Sequence, residues 1–193
     1  IKIKKFLGEN PGPINIIANV NAGFVPEDSW IHDMSSGGGR IVGEACHFID
    51  LISFFTGSDV SEVSMNALGI KPEINTDNAS IHLKYKNGSL GVINYFSNGN
   101  SSYPKERIEI HYQKMTFIID NFRKLYSYGK GNKFTNLILK TKQDKGHKNQ
   151  FKSLLDYWNK STKPLIPFNS IVNTTNTTFL ALKSLQEGRT IKI

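Results

Sequence analysis

Five short segments in the middle of this 193-residue chain alternate apolar and polar residues, and the links between them constrain the fold most. Asn87-Gly88 joins the second to the third, and both residues tolerate the positive φ of a type I′ hairpin turn. Gln113-Lys114 is a second tight connection, between the last two. Strands joined this closely must be antiparallel, so the pattern predicts a meander sheet and not a doubly wound nucleotide-binding core. The predicted strands are 62–70, 79–86, 89–97, 107–112 and 115–120.

Further strands are predicted on both sides of this group. The stretch that follows Pro11-Gly12-Pro13 is rich in β-branched residues, and the start of the chain alternates lysine with apolar residues. These patterns predict strands at 14–22 and 1–7, weaker ones at 124–128 and 134–140, and a final one at 190–193.

Helical spacing of apolar residues marks three segments. The first, 44–55, is apolar nearly all round and is predicted as a mostly buried helix that ends at Gly57. The second and third each predict a helix with one buried stripe, the third capped by Asn169 or Ser170 and ended by Gly188. Their stripes are Phe151, Leu154, Leu155 and Trp158, then Ile171, Thr175, Thr178, Phe179, Leu182 and Leu185.

The order of these elements predicts one α+β domain over residues 1–193, a predominantly antiparallel open sheet with helices packed on one face. Its 38% hydrophobic and 21% charged residues are typical of a packed globular domain. No apolar stretch approaches the roughly 18 residues of a membrane span, so no membrane contact is predicted. The lone Cys46 excludes an internal disulfide and favours a reducing, cytoplasmic setting.

The net charge of +8 raises the question of a nucleic-acid partner. The excess is scattered lysine, densest over 140–148, with no aromatic RNA-binding motif, zinc finger or arginine-rich run. We therefore interpret it as solvated surface, with attraction of anionic substrates as the second interpretation and no nucleic-acid binding predicted.

The chemistry is concentrated where a glycine run, Gly37-Gly38-Gly39, leads into the first helix. On that helix Glu44, His47 and Asp50 recur every third residue, so their side chains project from one face. A carboxylate beside an imidazole suits general acid–base catalysis, whereas the structural alternative is a satisfied polar network. No metal site is predicted, because Glu44 and His47 lack a second ligand pair, and the glycines do not form Gly-x-Gly-x-x-Gly.

This stretch resembles the start of the C-terminal domain of the glucose–fructose oxidoreductase/inositol dehydrogenase family (Gfo/Idh/MocA). The matching residues are Trp30, Asp33, Gly37-Gly38-Gly39 and Cys46-His47-Phe48-Ile49-Asp50-Leu51. The resemblance implies the substrate-binding and oligomerisation domain of an NAD(P)-dependent oxidoreductase acting on a sugar, sugar nucleotide or cyclitol. Its N-terminal Rossmann domain is expected upstream of this chain, so the chain alone is expected to be inactive.

The resemblance also assigns residues. His47 matches the catalytic histidine, and Gly43 stands where the family commonly has an aspartate, so Glu44 is proposed to replace that carboxylate. Gly38 and Gly39 are expected near the cofactor, NAD or NADP. Candidate substrate-binding residues are Trp30, Arg40, Asn98 and Lys105, with a loop anchor as the alternative for Trp30 and a structural ion pair for Arg40.

Two functions remain from this reasoning. The leading one is a sugar-type oxidoreductase that uses His47 as acid/base and assembles as a homodimer or homotetramer. The alternative is a non-catalytic binding or scaffold domain of the same fold that holds a partner or a polyanion, which the substitution at Gly43 and the positive charge favour.

Overall fold

A computed structural model describes residues 2–129, 137–138, 146–160 and 163–193. The strands in these ranges are β1 Asn15–Asn21, β2 Val60–Ala67, β3 Ala79–Tyr85, β4 Leu90–Phe96, β5 Glu106–Tyr112, β6 Met115–Asp120, β7 Lys124–Tyr128, β8 Leu137–Ile138 and β9 Ile191–Lys192. The α-helices are α1 Lys2–Leu7, α2 Cys46–Thr56, α3 His147–Lys160 and α4 Phe168–Glu187. A 3₁₀ turn spans Trp30–His32 and a π-helical turn spans Ile41–Ala45.

The strands form one sheet in the order β8-β7-β6-β5-β1-β4-β3-β2-β9. The hairpins β3–β4 and β5–β6 are antiparallel, as their short links predict. The type I′ turn predicted at Asn87-Gly88 is wrong, because of the two only Gly88 has a positive φ, 83°. The Gly88 N–H donates to the Tyr85 carbonyl at 2.9 Å, so the turn is centred on Lys86 and Asn87.

A simple meander is also wrong, because β1 lies between β4 and β5 and pairs in parallel with β4. The longer link between Phe96 and Glu106 leaves room for that insertion, which buries Ile16, Ala18 and Val20 at the centre of the sheet.

Helices α2 and α4 pack on one face of this sheet, which confirms the α+β architecture. The strands alternate accordingly: on β4, Gly91, Ile93 and Tyr95 are buried, and the Cβ that an alanine would have at Gly91 lies 3.0 Å from the Ile52 side chain of α2. The intervening Val92 is only partly buried on the other face. The sheet therefore keeps one face against the helices and one open.

The start of the chain differs from prediction, whereas its end agrees with it. The prediction of a strand over 1–7 is wrong, because Lys2–Leu7 forms the helix α1. A strand would place Lys5 on the same face as Ile3 and Leu7, whereas a helix buries those two and leaves Lys5 exposed, as observed. The strand predicted at the end forms as β9, and β7 forms over the predicted residues. Of the strand predicted at 134–140, only β8 lies within the described residues.

The two late helices form, but only part of their predicted stripes is buried. The apolar side chains of α3 are exposed, with Trp158 82% accessible, and α3 buries no residue. Of the stripe predicted for α4, Thr178 is buried, and Leu182 and Leu185 are partly buried against the core. On α4 the buried side chains are small and mostly hydroxylated, while Ile171 and Phe179 are about half exposed. Thr177 and Thr178 donate to the carbonyls of the preceding turn, so their hydroxyls are satisfied in the interior. The buried set is Thr174, Thr177, Thr178, Ala181 and Ser184.

The predicted glycines end α2 and α4, but the predicted N-cap of α4 is wrong. Pro167, and neither Asn169 nor Ser170, is the N-cap of α4. Gly57 and Gly188 end α2 and α4 in the left-handed conformation, as predicted.

In the described part of the chain, no helix is long and apolar enough to cross a membrane.

Candidate functional site

A cleft of about 1150 Å³ opens beside α2. It lies between that helix, the residues just before β5, the tip of the β6–β7 hairpin and the segment 164–167 before α4. The polar residues of α2 and its π turn that line it are Glu44, His47, Asp50 and Ser53. The cleft therefore collects the three residues that the sequence places on one helical face.

The loop that leads into α2 is organised by Asp33. Its carbonyl oxygen accepts the backbone N–H of Gly37 at 2.7 Å and of Gly38 at 3.0 Å. Its carboxylate accepts the Ser36 hydroxyl at 2.6 Å and the Ser35 backbone N–H at 2.9 Å. These hydrogen bonds, that of Ser36 foremost, lower the pKa of Asp33. Asp33 thus stays ionised and holds the loop closed on itself.

Loop geometry accounts for the glycine run. A Cβ at Gly37 would overlap the Trp30 carbonyl oxygen, and Gly38 and Gly39 have φ of 71° and 77°. Gly38 and Gly39, like Trp30, are not among the described residues that line the cleft, and the Trp30 side chain is 69% exposed. The structure therefore places these three residues on the approach to α2 and not at the cleft surface.

The π-helical turn Ile41–Ala45 decides where the polar side chains of this segment point. It carries Glu44, and α2 begins immediately after it with Cys46 and His47. Such turns insert an extra residue into the helical repeat and are frequent at functional sites. Within the described part of the chain, no hydrogen bond joins Glu44 to His47, although both face the cleft.

Glu44 instead accepts hydrogen bonds from three other groups. Its Oε1 lies 2.5 Å from Lys105 Nζ, and its Oε2 accepts the Tyr95 hydroxyl at 2.6 Å and Arg40 Nη2 at 2.9 Å. Burial alone would raise the pKa of Glu44, but these three hydrogen bonds outweigh it and lower that pKa to about 2. At neutral pH this side chain is a fixed negative charge and not a proton donor.

Arg40 lies beneath Glu44 and is 6% exposed. Its guanidinium donates to the carbonyl oxygens of Gly23 at 2.6 Å and Ala22 at 3.0 Å, and approaches Asp77 Oδ2 at 3.6 Å. Its Cζ also lies 5.4 Å from the centroid of the Tyr95 ring. The geometry favours the structural alternative for Arg40, because its donors face protein acceptors and it does not line the cleft.

Lys105 reaches the cleft from the loop between β4 and β5, with its side chain 47% exposed. Asn21, at the end of β1, holds that loop: its backbone N–H donates to the Lys105 carbonyl at 2.8 Å. Its side-chain amide donates to the carbonyls of Asn100 at 2.8 Å and Tyr103 at 3.2 Å. Asn98, on the same loop, is exposed and is not among the lining residues.

His47 and Asp50 form the second polar group of the cleft. The His47 side chain is exposed, while Asp50 is half-buried one helical turn further on. Burial raises the pKa of Asp50, and the nearby His47 opposes that rise. An exposed imidazole with a carboxylate on the same helical face can exchange a proton with a bound hydroxyl group.

Tyr95, Asp77 and Asn21 complete this site and were not predicted from the sequence. Burial, together with the hydrogen bond to the Glu44 carboxylate, raises the pKa of Tyr95 and keeps its hydroxyl a neutral donor. A signal existed for Tyr95 alone, since it follows Ile93 on the inward face of a strand and a buried tyrosine hydroxyl needs a partner. Asp77 lies in a segment without a local pattern, and the strand pattern over 14–22 predicts no role in the site for Asn21.

The Glu44 network has a measurable pH dependence. Because the folded-state pKa of about 2 lies below the ordinary 4.5, its contribution is complete above pH 4.5 and is lost as pH falls toward 2. After allowance for partial exposure, we expect about 1–2 kcal/mol. Glu44→Gln should lower the free energy of unfolding by that amount at pH 7 and flatten its acid dependence, measured by urea titration at several pH values. Glu27→Gln, at an exposed position, is the control, and equal curves for both variants would refute the assignment.

In the described residues no group of three or more His, Cys, Asp or Glu side chains is arranged to hold a metal ion.

The sequence profile of the GFO/IDH/MocA C-terminal domain matches residues 12–118, more than half of the chain. A search of curated protein sequences finds no match.

Solved structures share this fold. An oxidoreductase domain protein from Kribbella flavida has a TM-score of 0.79 at 19% identity and covers 100% of this chain and 63% of its own. An aldose–aldose oxidoreductase from Caulobacter crescentus has a TM-score of 0.76 at 14% identity, and the match covers 98% of this chain and 58% of that protein. A UDP-N-acetylglucosamine 3-dehydrogenase from Acidithiobacillus ferrooxidans has a TM-score of 0.75 at 14% identity, and the match covers 97% of this chain and 57% of that protein. This chain thus spans less than two thirds of the length of each.

Proposed function

The chain belongs to the GFO/IDH/MocA family through its C-terminal domain, and on that premise we propose that it is the substrate-binding part of an NAD(P)-dependent oxidoreductase. Its substrate is a sugar, sugar nucleotide or cyclitol, oxidised at a hydroxyl or reduced at a ketone. The observation that carries the proposal is the cleft: Asp50 and the exposed His47 line it from α2, and the paired Glu44 and Lys105 also line it. Proteins of the same fold that act on aldoses and on a sugar nucleotide support the substrate class.

In this proposal His47 holds and moves the proton of the reacting hydroxyl, because its imidazole is exposed in the cleft. Lys105 binds substrate oxygen atoms with the N–H groups that Glu44 does not use. Glu44 is a positioning residue: with a pKa of about 2 it remains a carboxylate and holds the Lys105 ammonium at the cleft edge. The proton relay therefore runs through His47, with Asp50 as its carboxylate neighbour.

The nicotinamide cofactor, when bound, supplies the hydride acceptor or donor. This chain supplies residues for only one side of a nicotinamide cofactor site. His47 and Lys105 present an imidazole and a cation to the cleft, whereas the chain contains no Gly-x-Gly-x-x-Gly and its described sheet is not doubly wound. We propose that a separate Rossmann domain of the longer protein provides the other contacts, and that this chain alone does not turn over.

The direct test is nucleotide binding by the longer protein and by this chain separately. The longer protein should bind NAD(H) or NADP(H) in a fluorescence titration and reduce or oxidise it in the presence of a sugar. This chain alone should do neither. If the longer protein binds no nucleotide, the oxidoreductase proposal is wrong and the non-catalytic scaffold function becomes the better one.

The open face of the sheet supports an oligomer, which we propose as a homodimer or a homotetramer. Ile17 of β1 and Val92 of β4 are direct neighbours across the parallel pair, and both lie on the face that no described helix covers. Ile118 of β6 lies in the same row, separated from Ile17 by Glu109 of β5. A second subunit would remove the apolar Ile17–Val92 pair from water.

Val92→Lys should therefore convert the oligomer to monomers, measured as a fall in molar mass by light scattering. A lysine there places a charge inside the proposed interface, where burial without a partner is unfavourable. Asp28→Lys, in the exposed loop before α2, is the charge control and should leave the mass unchanged. A monomeric wild-type protein, or an unchanged mass for Val92→Lys, would exclude this interface.

A further inference from the structure

The link between β6 and β7 has an unusual residue at its tip. Asp120 and Lys124 pair directly, so the link consists of Asn121, Phe122 and Arg123, and the Arg123 N–H donates to the Asp120 carbonyl at 3.0 Å. Asn121 and Phe122 are the central residues of the turn that this hydrogen bond closes, with φ of 49° and 48°. Positive φ at both positions defines a type I′ geometry, which favours Asn first and Gly second. Phe122 instead places a bulky side chain in the left-handed region, where steric strain disfavours it.

This turn is attached to the candidate site. The Asn121 N–H donates to the Glu106 carbonyl at 2.7 Å, and Glu106 follows Lys105, whose ammonium pairs with Glu44. Phe122 itself lines the same cleft as His47, with its side chain 37% exposed. The turn that carries the strained residue is therefore hydrogen-bonded to the segment that places the cleft cation.

A second turn of the same kind provides an internal comparison. Gln113 and Lys114 join β5 to β6 with φ of 45° and 64°. Lys114 is exposed and is not among the described residues that line the cleft. Both turns place two consecutive residues at positive φ. The link between β5 and β6 has two residues and the link between β6 and β7 has three, and of these two turns only that of Phe122 presents an aromatic ring to the cleft.

We propose that Phe122 is a specificity-determining residue that stacks against the C–H face of the ring of a cyclic sugar or cyclitol. This inference rests on the function proposed above and deepens it. Such a ring directs its hydroxyl groups outward and leaves faces of C–H groups, which are apolar and complement the electron-rich face of an aromatic ring. Lys105 and His47 supply the polar contacts that the hydroxyl groups need. Strained residues at ligand sites persist where the surroundings hold them and function uses them.

Phe122→Gly separates a binding role from a structural one. Glycine relieves the left-handed strain, so the apparent Tm of the longer protein should rise by about 2–4 °C. Removal of the ring should raise the KM for the sugar about tenfold, with kcat within about threefold of wild type. The probes are D-glucose, myo-inositol and UDP-N-acetylglucosamine with a saturating cofactor, and the one with the highest kcat/KM is used for the variants.

Two further variants complete the experiment. Lys114→Gly, the matched control in the other turn, should raise Tm by a similar amount and leave both kinetic constants unchanged. Phe122→Tyr retains the aromatic face and should keep the wild-type KM.

Each alternative outcome has a distinct meaning. If the wild type turns over a probe and Phe122→Gly has an unchanged sugar KM, the inference is wrong and the proposed function stands. A raised cofactor KM with an unchanged sugar KM would also overturn it, because the ring would then contact the nucleotide. A fall in Tm would show that Phe122 packs for stability. If the wild type turns over no probe although it binds nucleotide, the substrate class proposed above fails and this inference with it.

Discussion

In the longer, cofactor-binding protein proposed above, His47→Ala should lower kcat about 10²–10⁴-fold, the range that general acid–base catalysis contributes. The residue is exposed in the cleft, so its removal leaves no cavity in the core and the Tm should stay within about 2 °C of wild type. The turnover of the wild-type protein and of the variant is measured at saturating cofactor, and the nucleotide affinity should be the same for both.

Added imidazole distinguishes proton transfer from a structural role. Because the cleft is open beside α2, imidazole can enter the space that the side chain vacates and restore part of the turnover of His47→Ala. His147→Ala, at the exposed start of α3, is the matched control and should keep full activity. Full activity of His47→Ala, or a loss that imidazole does not relieve together with a lower Tm, would remove His47 from the proposed role.

Gly57→Ala should lower the free energy of unfolding by about 3 kcal/mol, the largest stability effect that we expect from one methyl group in this chain. Gly57 ends α2 with φ of 62°, and a Cβ there would overlap the backbone carbonyl oxygen of Glu9. That carbonyl also accepts a hydrogen bond from Lys4 Nζ at 3.1 Å, so it cannot move away without breaking a contact of α1. Urea titration of both proteins measures the difference.

Gly188→Ala is the matched control. Gly188 ends α4 in nearly the same conformation, with φ of 61°, but nothing lies within 4 Å of its would-be Cβ. The free energy of unfolding of this variant should fall only by the cost of placing alanine at a positive φ, about 1 kcal/mol. Equal losses for both variants would show that the close approach of Glu9 to α2 does not matter for stability.

Prediction from sequence succeeded where neighbouring residues decide the outcome. Asn87-Gly88 indicates a tight hairpin link, although not the type I′ geometry, and Gly57 ends a helix because its left-handed conformation is local. The stretch from Trp30 to Leu51 was enough to indicate the family, which the sequence profile confirms. The one-sided α+β sheet followed from the same local patterns.

Prediction failed where distant segments compete for the same surface. Alternation over 1–7 is compatible with a strand, but a strand would put Lys5 on the face of Ile3 and Leu7, and only a helix buries those two without it. The apolar stripe of α3 indicates a buried face, yet the described fold leaves that face exposed. Glu44 was expected to lie beside His47, whereas a π turn and Lys105, sixty-one positions away, direct it elsewhere.

The sequence by itself determined the hairpins, the helix ends, the single open sheet and the presence of His47 on a helix after a glycine loop. The tertiary structure alone decided that β1 enters between β4 and β5, and this insertion lets Asn21 hold the loop that carries Lys105. It also decided that Phe122 faces the cleft from a left-handed turn. The physical reason is range: turn and helix preferences act over a few residues, whereas strand order, buried charge pairs and cleft walls depend on contacts between segments far apart in the chain.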